Sequence, residues 1–351
     1  MSDRQLPYKP KEIRQMSIFR YAVGSTLIMG VAMAYAWNLS FITPILALSF
    51  IGPDAKCPSA KTGISFVLLI AITTFLGFVV SKYFIDKQAV FILIIGLSLF
   101  YIFYSEKLKG PVKTFMLISL LLMPVLSMQH IAVAYMFNVY FIIGAVITIL
   151  LVWVVYLILP DKTEHAKDIE VANKKNNSAN NESFDKAIQT LFVVFPIVLL
   201  FFYFGWSGSL IILMFVGLLS MNPSFNAKAG FVLIVGNLTG GVLAIIAYEI
   251  LTLVPHFTFF ILLTLGIGLL MAKQVFSGNK TAPLYGMAYS TFLLIIGQAT
   301  TSTSDAGEKV WIRVLQIMIA VLYVVIALNV YDAFKVYYQN RKKKKPSFKI
   351  N

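Results

Sequence analysis

"WNLSFITPILALSFIGPDAKCPSAKTG" (Trp37–Gly63) has a counterpart about half a chain later, "WSGSLIILMFVGLLSMNPSFNAKAG" (Trp206–Gly230). Both open on Trp with a Ser three residues on (Ser40, Ser209). Both run through a short apolar stretch to Pro (Pro53, Pro223) and close on Lys-x-Gly (Lys61–Gly63, Lys228–Gly230). A straight helix needs about 20 residues to cross roughly 30 Å of hydrocarbon. Each of these stretches offers only about 14 or 15 before its proline. A short, interrupted apolar segment that occurs twice points to a duplicated unit built for lipid.

Composition supports a membrane setting. Of the 351 residues, 59% are hydrophobic and 13% charged, with mean hydropathy +0.82. Soluble domains carry about twice that share of charge. In lipid only helices or closed barrels satisfy their own backbone, and long apolar runs without alternation favour helices. One cysteine, Cys57, excludes an intramolecular disulfide framework and a thiolate cluster from this chain alone. His130, His165 and His256 have no metal-ligand spacing. No phosphate loop, dinucleotide fingerprint or zinc-protease motif occurs, so neither enzyme chemistry, a metal nor a cofactor is expected. The net charge of +14 is read as the cytoplasmic bias of a membrane protein rather than a nucleic-acid footprint.

Six apolar segments precede the polar stretch at 161–185: 17–36, 39–52, 63–84, 88–104, 112–128 and 134–159. Six follow it: 187–204, 208–222, 229–253, 257–276, 283–300 and 310–334. The expected architecture is all-α and polytopic, with about 12 transmembrane helices. Residues 1–160 form the first six-helix repeat, 161–186 a cytoplasmic linker, 187–335 the second repeat and 336–351 a basic cytoplasmic tail. If every segment crosses and the N-terminus is inside, 25 of the 29 Lys and Arg residues fall on the inner side. Only Lys82, Lys87, Lys309 and Arg313 lie outside. Two halves with even span numbers point the same way, so the repeats are parallel, related by an axis along the membrane normal. The likeness extends to 91–110 against 260–278 and to 137–160 against 312–334, with Asn138 opposite Arg313.

Interrupted segments at matching places in two halves are a pointer to a transport site. Trp37, Ser40, Thr43 and Pro44 in the first half, with Trp206 and Ser209 in the second, are therefore candidate substrate contacts. Pro44 withholds a backbone donor and is expected to disturb the preceding turn. Tilted or interfacial short spans are the alternative. Lys61 and Lys228 would collect an anion, or else snorkel to the inner interface. Arg313, on the side poor in cations, would hold an anion or pair with Asp305 or Glu308. Glu249 sits in an apolar run and is a candidate proton carrier; an ion pair with Lys82 is the alternative. Gly77 and Gly240 mark close helix approach, and Asn237 needs a polar partner or a water-filled path. The cluster Arg341–Lys345 would hold anionic lipid.

Trp before a short second helix, Pro after it, a basic residue and Gly opening the third: this unit resembles the fusaric acid resistance and aromatic acid exporter superfamily of bacterial inner-membrane proteins. The plant aluminium-activated malate transporters are distant relatives of it. The carrying residues are Trp37, Pro53, Lys61, Gly63, Gly77, Gly144 and Pro160, then Trp206, Pro223, Lys228, Gly230, Gly240 and Arg313. Two departures stand out. The large cytoplasmic domain of many relatives is reduced to a linker, and Asn138 replaces the basic residue expected in the sixth helix. The resemblance implies an inner-membrane secondary transporter, multi-pass with both termini cytoplasmic. It would export aromatic or other organic acids on the proton gradient, alongside a periplasmic adaptor of the membrane-fusion class. Its pathway would lie between the two short second helices. A passive organic-anion channel and a non-transporting scaffold that recruits an adaptor are the alternatives, and homo-oligomers remain open.

Overall fold

The computed structural model describes residues 10–53, 55–105, 110–160, 179–204, 212, 216–217, 227–279, 281–301 and 306–343. Among them there is no strand. The helices are α1 (Pro10–Tyr35), α2 (Thr43–Ile51), α3 (Ala60–Phe84), α4 (Gln88–Tyr104), α5 (Gly110–Gln129) and α6 (Ile131–Ile158). The second half contributes α7 (Ala179–Phe204), α8 (Ala227–Leu253), α9 (Phe257–Val275), α10 (Ala282–Thr301) and α11 (Ala306–Lys343). A 3-10 turn (Ser40–Ile42) precedes α2. The protein is thus an all-α, polytopic membrane protein. By length and composition, six of the described helices can cross a membrane: α1, α3, α6, α7, α8 and α9. The apolar stretches Gln88–Tyr104 and Lys113–Gln129 are shorter, and at 1.5 Å per residue each falls about one turn short of a 30 Å core.

The exposed surface shows why lipid is the solvent. On α3, Ile64, Leu68, Ile72, Phe75 and Leu76 are each more than half exposed, while Thr73, Thr74 and Ser81 are buried. The pattern inverts that of a soluble helix. Three helices run past the segments expected for them, α1 beginning at Pro10. α7 begins at Ala179, inside the stretch expected as linker, and α11 continues through Lys343 into the expected tail.

The described residues form two compact units. One combines Met1–Ile72, Tyr135–Lys175 and Phe231–Leu315; the other combines Thr73–Ala134, Asn176–Gly230 and Gln316–Asn351. Each therefore draws on both sequence halves. In the first unit α1, from the first apolar segment of the first half, packs along α9, from the fourth apolar segment of the second. In the second unit α7, from the first apolar segment of the second half, packs along α4, from the fourth of the first. The same pairing recurs with the halves exchanged.

The first unit's core joins α1, α2, α6, α8, α9 and α10 through residues such as Met29, Ile51, Val155, Ala272 and Phe292. Within it Ser25 Oγ and Tyr289 Oη share a hydrogen bond of 2.6 Å. In the second unit Phe91 of α4 meets Phe202 of α7 edge to face at 5.0 Å. Pro196 inside α7 withholds a backbone N–H, and in the same turn Tyr323 of α11 donates to the Val193 carbonyl at 2.8 Å.

A second repeated feature is the approach of the third helix of each half to the fifth. A Cβ on Gly77 of α3 would stand 2.8 Å from the Ser119 carbonyl oxygen of α5, and one on Gly240 of α8 would stand 2.1 Å from that of Ala288 on α10. Both obstacles are backbone, which cannot rotate away. Gly240→Ala is therefore expected to lower the melting temperature of the detergent-purified protein, by a destabilisation of about 1–3 kcal/mol. Gly77→Ala should cost less. Gly266→Ala, where nothing lies within 4 Å of the added carbon, should be neutral or stabilising by up to about 1 kcal/mol. Equal melting curves for the Gly240 and Gly266 variants would refute the close approach.

Candidate functional site

The segment between α1 and α2 departs from helical geometry. Ala36 (φ 43) and Leu39 (φ 64) both occupy the left-handed region without being glycine, which costs on the order of 1 kcal/mol each. Together they carry the chain off the α1 axis. Ser40 N then donates to the Trp37 carbonyl at 2.9 Å and Ile42 N to that of Leu39 at 3.0 Å, closing the 3-10 turn. Pro44 follows at the first turn of α2. Its missing N–H has no intrahelical acceptor there in any case, so it starts the helix rather than disturbing one. Gly52 is extended, and α2 stops at Ile51 after nine residues. Helix and 3-10 turn together span about 20 Å, well short of the membrane core. Thr43, Ala47 and Ile51, one turn apart, are its buried face.

Several other elements of the same unit end beside this break. α8 finishes at Leu253, α9 starts at Phe257 and α10 finishes at Thr301. They line a cavity of about 920 Å³ that opens to the surface, within the size range of small-molecule sites. Trp37, Phe41, Tyr248, Phe257 and Phe260 give it aromatic walls, and Ser40, Thr252 and Thr300 add hydroxyls. His256 stands exposed at the rim. Among the described residues, no Lys, Arg, Asp or Glu lines it.

The wall holds polar atoms without partners. Trp37 Nε1 and Ser40 Oγ are buried and hydrogen-bonded to nothing, as is Thr43 Oγ1 one step further into α2. Ser40 and Thr43 are fully buried. Leaving such a group unpaired costs about 1–3 kcal/mol. Three of them within seven residues, beside a cavity and two strained backbone positions, is the pattern of a binding segment rather than of a settled core. Thr43 lies against α6: its carbonyl accepts a hydrogen bond from Thr148 Oγ1 at 3.4 Å, and Gly144 leaves room for its hydroxyl.

The remaining candidates are dispersed. Lys61 is exposed at the start of α3. Asn138 is buried in α6. Asn237 is engaged at both ends of its amide, donating to the Leu233 carbonyl at 2.8 Å and accepting from Thr291 Oγ1 at 2.7 Å. That bond joins α8 to α10 beside the Gly240 contact. Glu249 is exposed, one turn before α8 ends, and Lys82 lies 5.5 Å over the Tyr83 ring. Lys228 and Arg313 lie within α8 and α11, and their side chains are outside the described residues, as are Trp206 and Ser209 altogether. The structure thus brings Trp37 and Ser40 together in one pocket, sets Thr43 and Pro44 behind them, and places none of the described charged candidates in it.

Sequence alone offered no sign of Tyr248, Phe257, Phe260 or Thr300, which reach the pocket from over 200 residues away along the chain. Arg20 is 3% exposed, with its guanidinium carbon 4.6 Å from the Tyr156 ring centroid. The Tyr156 hydroxyl donates to the Phe50 carbonyl at 2.8 Å, and Trp153 Nε1 donates to that of Pro58 at 2.8 Å. These bonds fasten the far end of α2 to α6. Among the described residues no group of three His, Cys, Asp or Glu side chains is placed to hold a metal ion.

An unpaired hydroxyl can be removed at a profit. Ser40→Ala is expected to raise the stability of the ligand-free protein by about 1 kcal/mol, whereas Asn237→Ala, which breaks one bond across the α8–α10 seam and one within α8, should lower it by about 1–3 kcal/mol. Thermal unfolding in one detergent compares them. A destabilised Ser40→Ala protein would show that the hydroxyl has a structural partner after all.

Residues 17–158, from α1 through the end of α6, match the model of a family described as a protein of unknown function (DUF2955). The match covers one six-helix half, less than half of the chain. No curated protein and no solved structure matches the chain. Over its first repeat, the chain is similar to that uncharacterised family.

Proposed function

We propose that this protein is a secondary transporter of the bacterial inner membrane, with both termini cytoplasmic, that exports aromatic or other organic acids. The observation that carries this proposal is the pocket at the break between α1 and α2. There, aromatic walls surround a segment whose indole N–H and serine hydroxyl lack partners. A broken helix in a membrane protein is tolerated where it lines a cavity, and such breaks are where transporters hold their substrates. Aromatic faces suit a planar apolar body, while the indole and hydroxyl donors suit a carbonyl or carboxyl end. The distribution of Lys and Arg supports the orientation.

In this scheme the proton gradient drives export, Glu249 carries the coupled proton, and Lys61, Lys228 and Arg313 attract the anion on its way to or from the pocket. Asn138 holds the place in the first half that Arg313 holds in the second. A periplasmic adaptor of the membrane-fusion class would receive the product, and the basic cluster Arg341–Lys345 would sit on anionic lipid.

Deletion of the gene should sensitise cells to aromatic carboxylates, and the wild-type chain should restore growth. At equal membrane abundance Trp37→Ala should lose about tenfold or more of the export rate from everted vesicles, a loss of roughly 1.4 kcal/mol in transition-state terms. Glu249→Gln should uncouple export from the proton gradient. Full complementation by Trp37→Ala, Arg313→Ala and Glu249→Gln would refute these roles. Ohmic conductance in planar bilayers without proton coupling would replace the pump with a channel.

A further inference from the structure

We infer that the pocket beside Trp37 selects uncharged aromatic molecules: amides, phenols, or a carboxylic acid that keeps its proton, in preference to a carboxylate. The inference depends on the transport proposal only in treating this cavity as a substrate site.

Three observations carry it. The first is the absence of charge. A carboxylate moved out of water needs a cation or several donors, because an unpaired buried charge is far more costly than an unpaired dipole. Among the described residues, no Lys or Arg lines this cavity. His256 stands exposed at its rim. The second is the wall. Phe260 is 5% exposed and Ala299 3%, and with Phe41 and Trp37 they make a surface that gains from contact with an aromatic face. The third is the unpartnered pair, Trp37 Nε1 and Ser40 Oγ. An indole N–H and a hydroxyl are neutral donors. They match a carbonyl oxygen, and the hydroxyl can also accept from an amide N–H or a phenol. Both atoms lie buried in the pocket wall, shielded from bulk water.

The cations that attract an organic anion therefore act away from this cavity. Neutral aromatic compounds become substrates in their own right, and an acid leaves its proton behind only after it leaves the pocket. Thr252, exposed and on the pocket lining, is the place where one added cation would change this selectivity.

The test uses the full-length protein in detergent at neutral pH, with cinnamamide and cinnamate as probes of equal shape, one neutral and one ionised. Quenching of Trp37 fluorescence reports binding, with Trp37→Phe as the control. Cinnamamide is expected to bind at least about tenfold more tightly than cinnamate. Quenching should vanish in Trp37→Phe, and Thr252→Lys should narrow the difference by strengthening cinnamate alone. Equal or tighter binding of cinnamate, binding of neither probe, quenching that survives in Trp37→Phe, or an unchanged ratio in Thr252→Lys would each overturn the inference. Proteoliposome flux separates it from the transport proposal. Cinnamamide that binds but never crosses defeats transport and leaves the selectivity intact. Cinnamate that crosses and binds more tightly defeats the selectivity and leaves transport intact.

Discussion

Hydrocarbon offers no hydrogen bonds, and the rest of this structure depends on that constraint. Every backbone group must find its partner inside the chain, so the described residues are helical and their polar side chains turn inward. Ser25 meets Tyr289, Thr291 meets Asn237, and Tyr323 bonds a carbonyl in the turn that Pro196 loosens. Against that background the Trp37–Thr43 segment is an exception. It holds two left-handed residues, a 3-10 turn and three buried polar atoms with nothing to bond. Buried hydroxyls without partners also occur at Ser119 and Ser127, but here three unpartnered polar atoms fall within seven residues beside a pocket.

The two compact units do not coincide with the two halves of the sequence. Each takes the helix of the first apolar segment from one half and that of the fourth from the other. The seams are made tight by residues without side chains: Gly268 of α9 lies against Ala22 and Tyr289, and Gly240 lies against the Ala288 backbone. In a membrane, where lipid tails are as apolar as leucine, close packing of this kind supplies association that the hydrophobic effect cannot. Each unit therefore needs both halves of the chain, which ties the stability of one repeat to the presence of the other.

Chemistry at the pocket follows from the same solvent logic. A membrane cavity without charged walls discriminates by desolvation, since the ligand that brings the least unpaired charge enters most cheaply. Aromatic walls then reward a planar body. Lys61, Lys82 and Lys87 stand exposed at helix ends, whereas Arg20 is stacked on Tyr156 inside its unit. Its neighbours, the Tyr156 and Trp153 bonds to the loop after α2, hold the far end of the short helix while the near end remains open to the cavity.

Local sequence determined the helices. Lipid compels long apolar runs to be helical whatever their neighbours, so the segment at 88–104 coincides with α4 and the other described segments agree to within a few residues, apart from the extended ends of α1, α7 and α11; the segment at 208–222 lies largely outside the described residues. The Trp, Pro and Gly pattern at 37–63 likewise announced a short second helix, because proline and glycine act on their own backbone. Pro44 was legible as a special residue but not as a helix start, since that depends on the turn before it. Tertiary structure alone decided the partners. An apolar face carries no address, so nothing in α1 named α9, and nothing in Trp37 named Tyr248, Phe260 or Thr300. It also decided that Asn237 would serve a seam and Arg20 an interior. A polar residue in an apolar run states only that it needs a partner; which partner it finds depends on the helices packed against it.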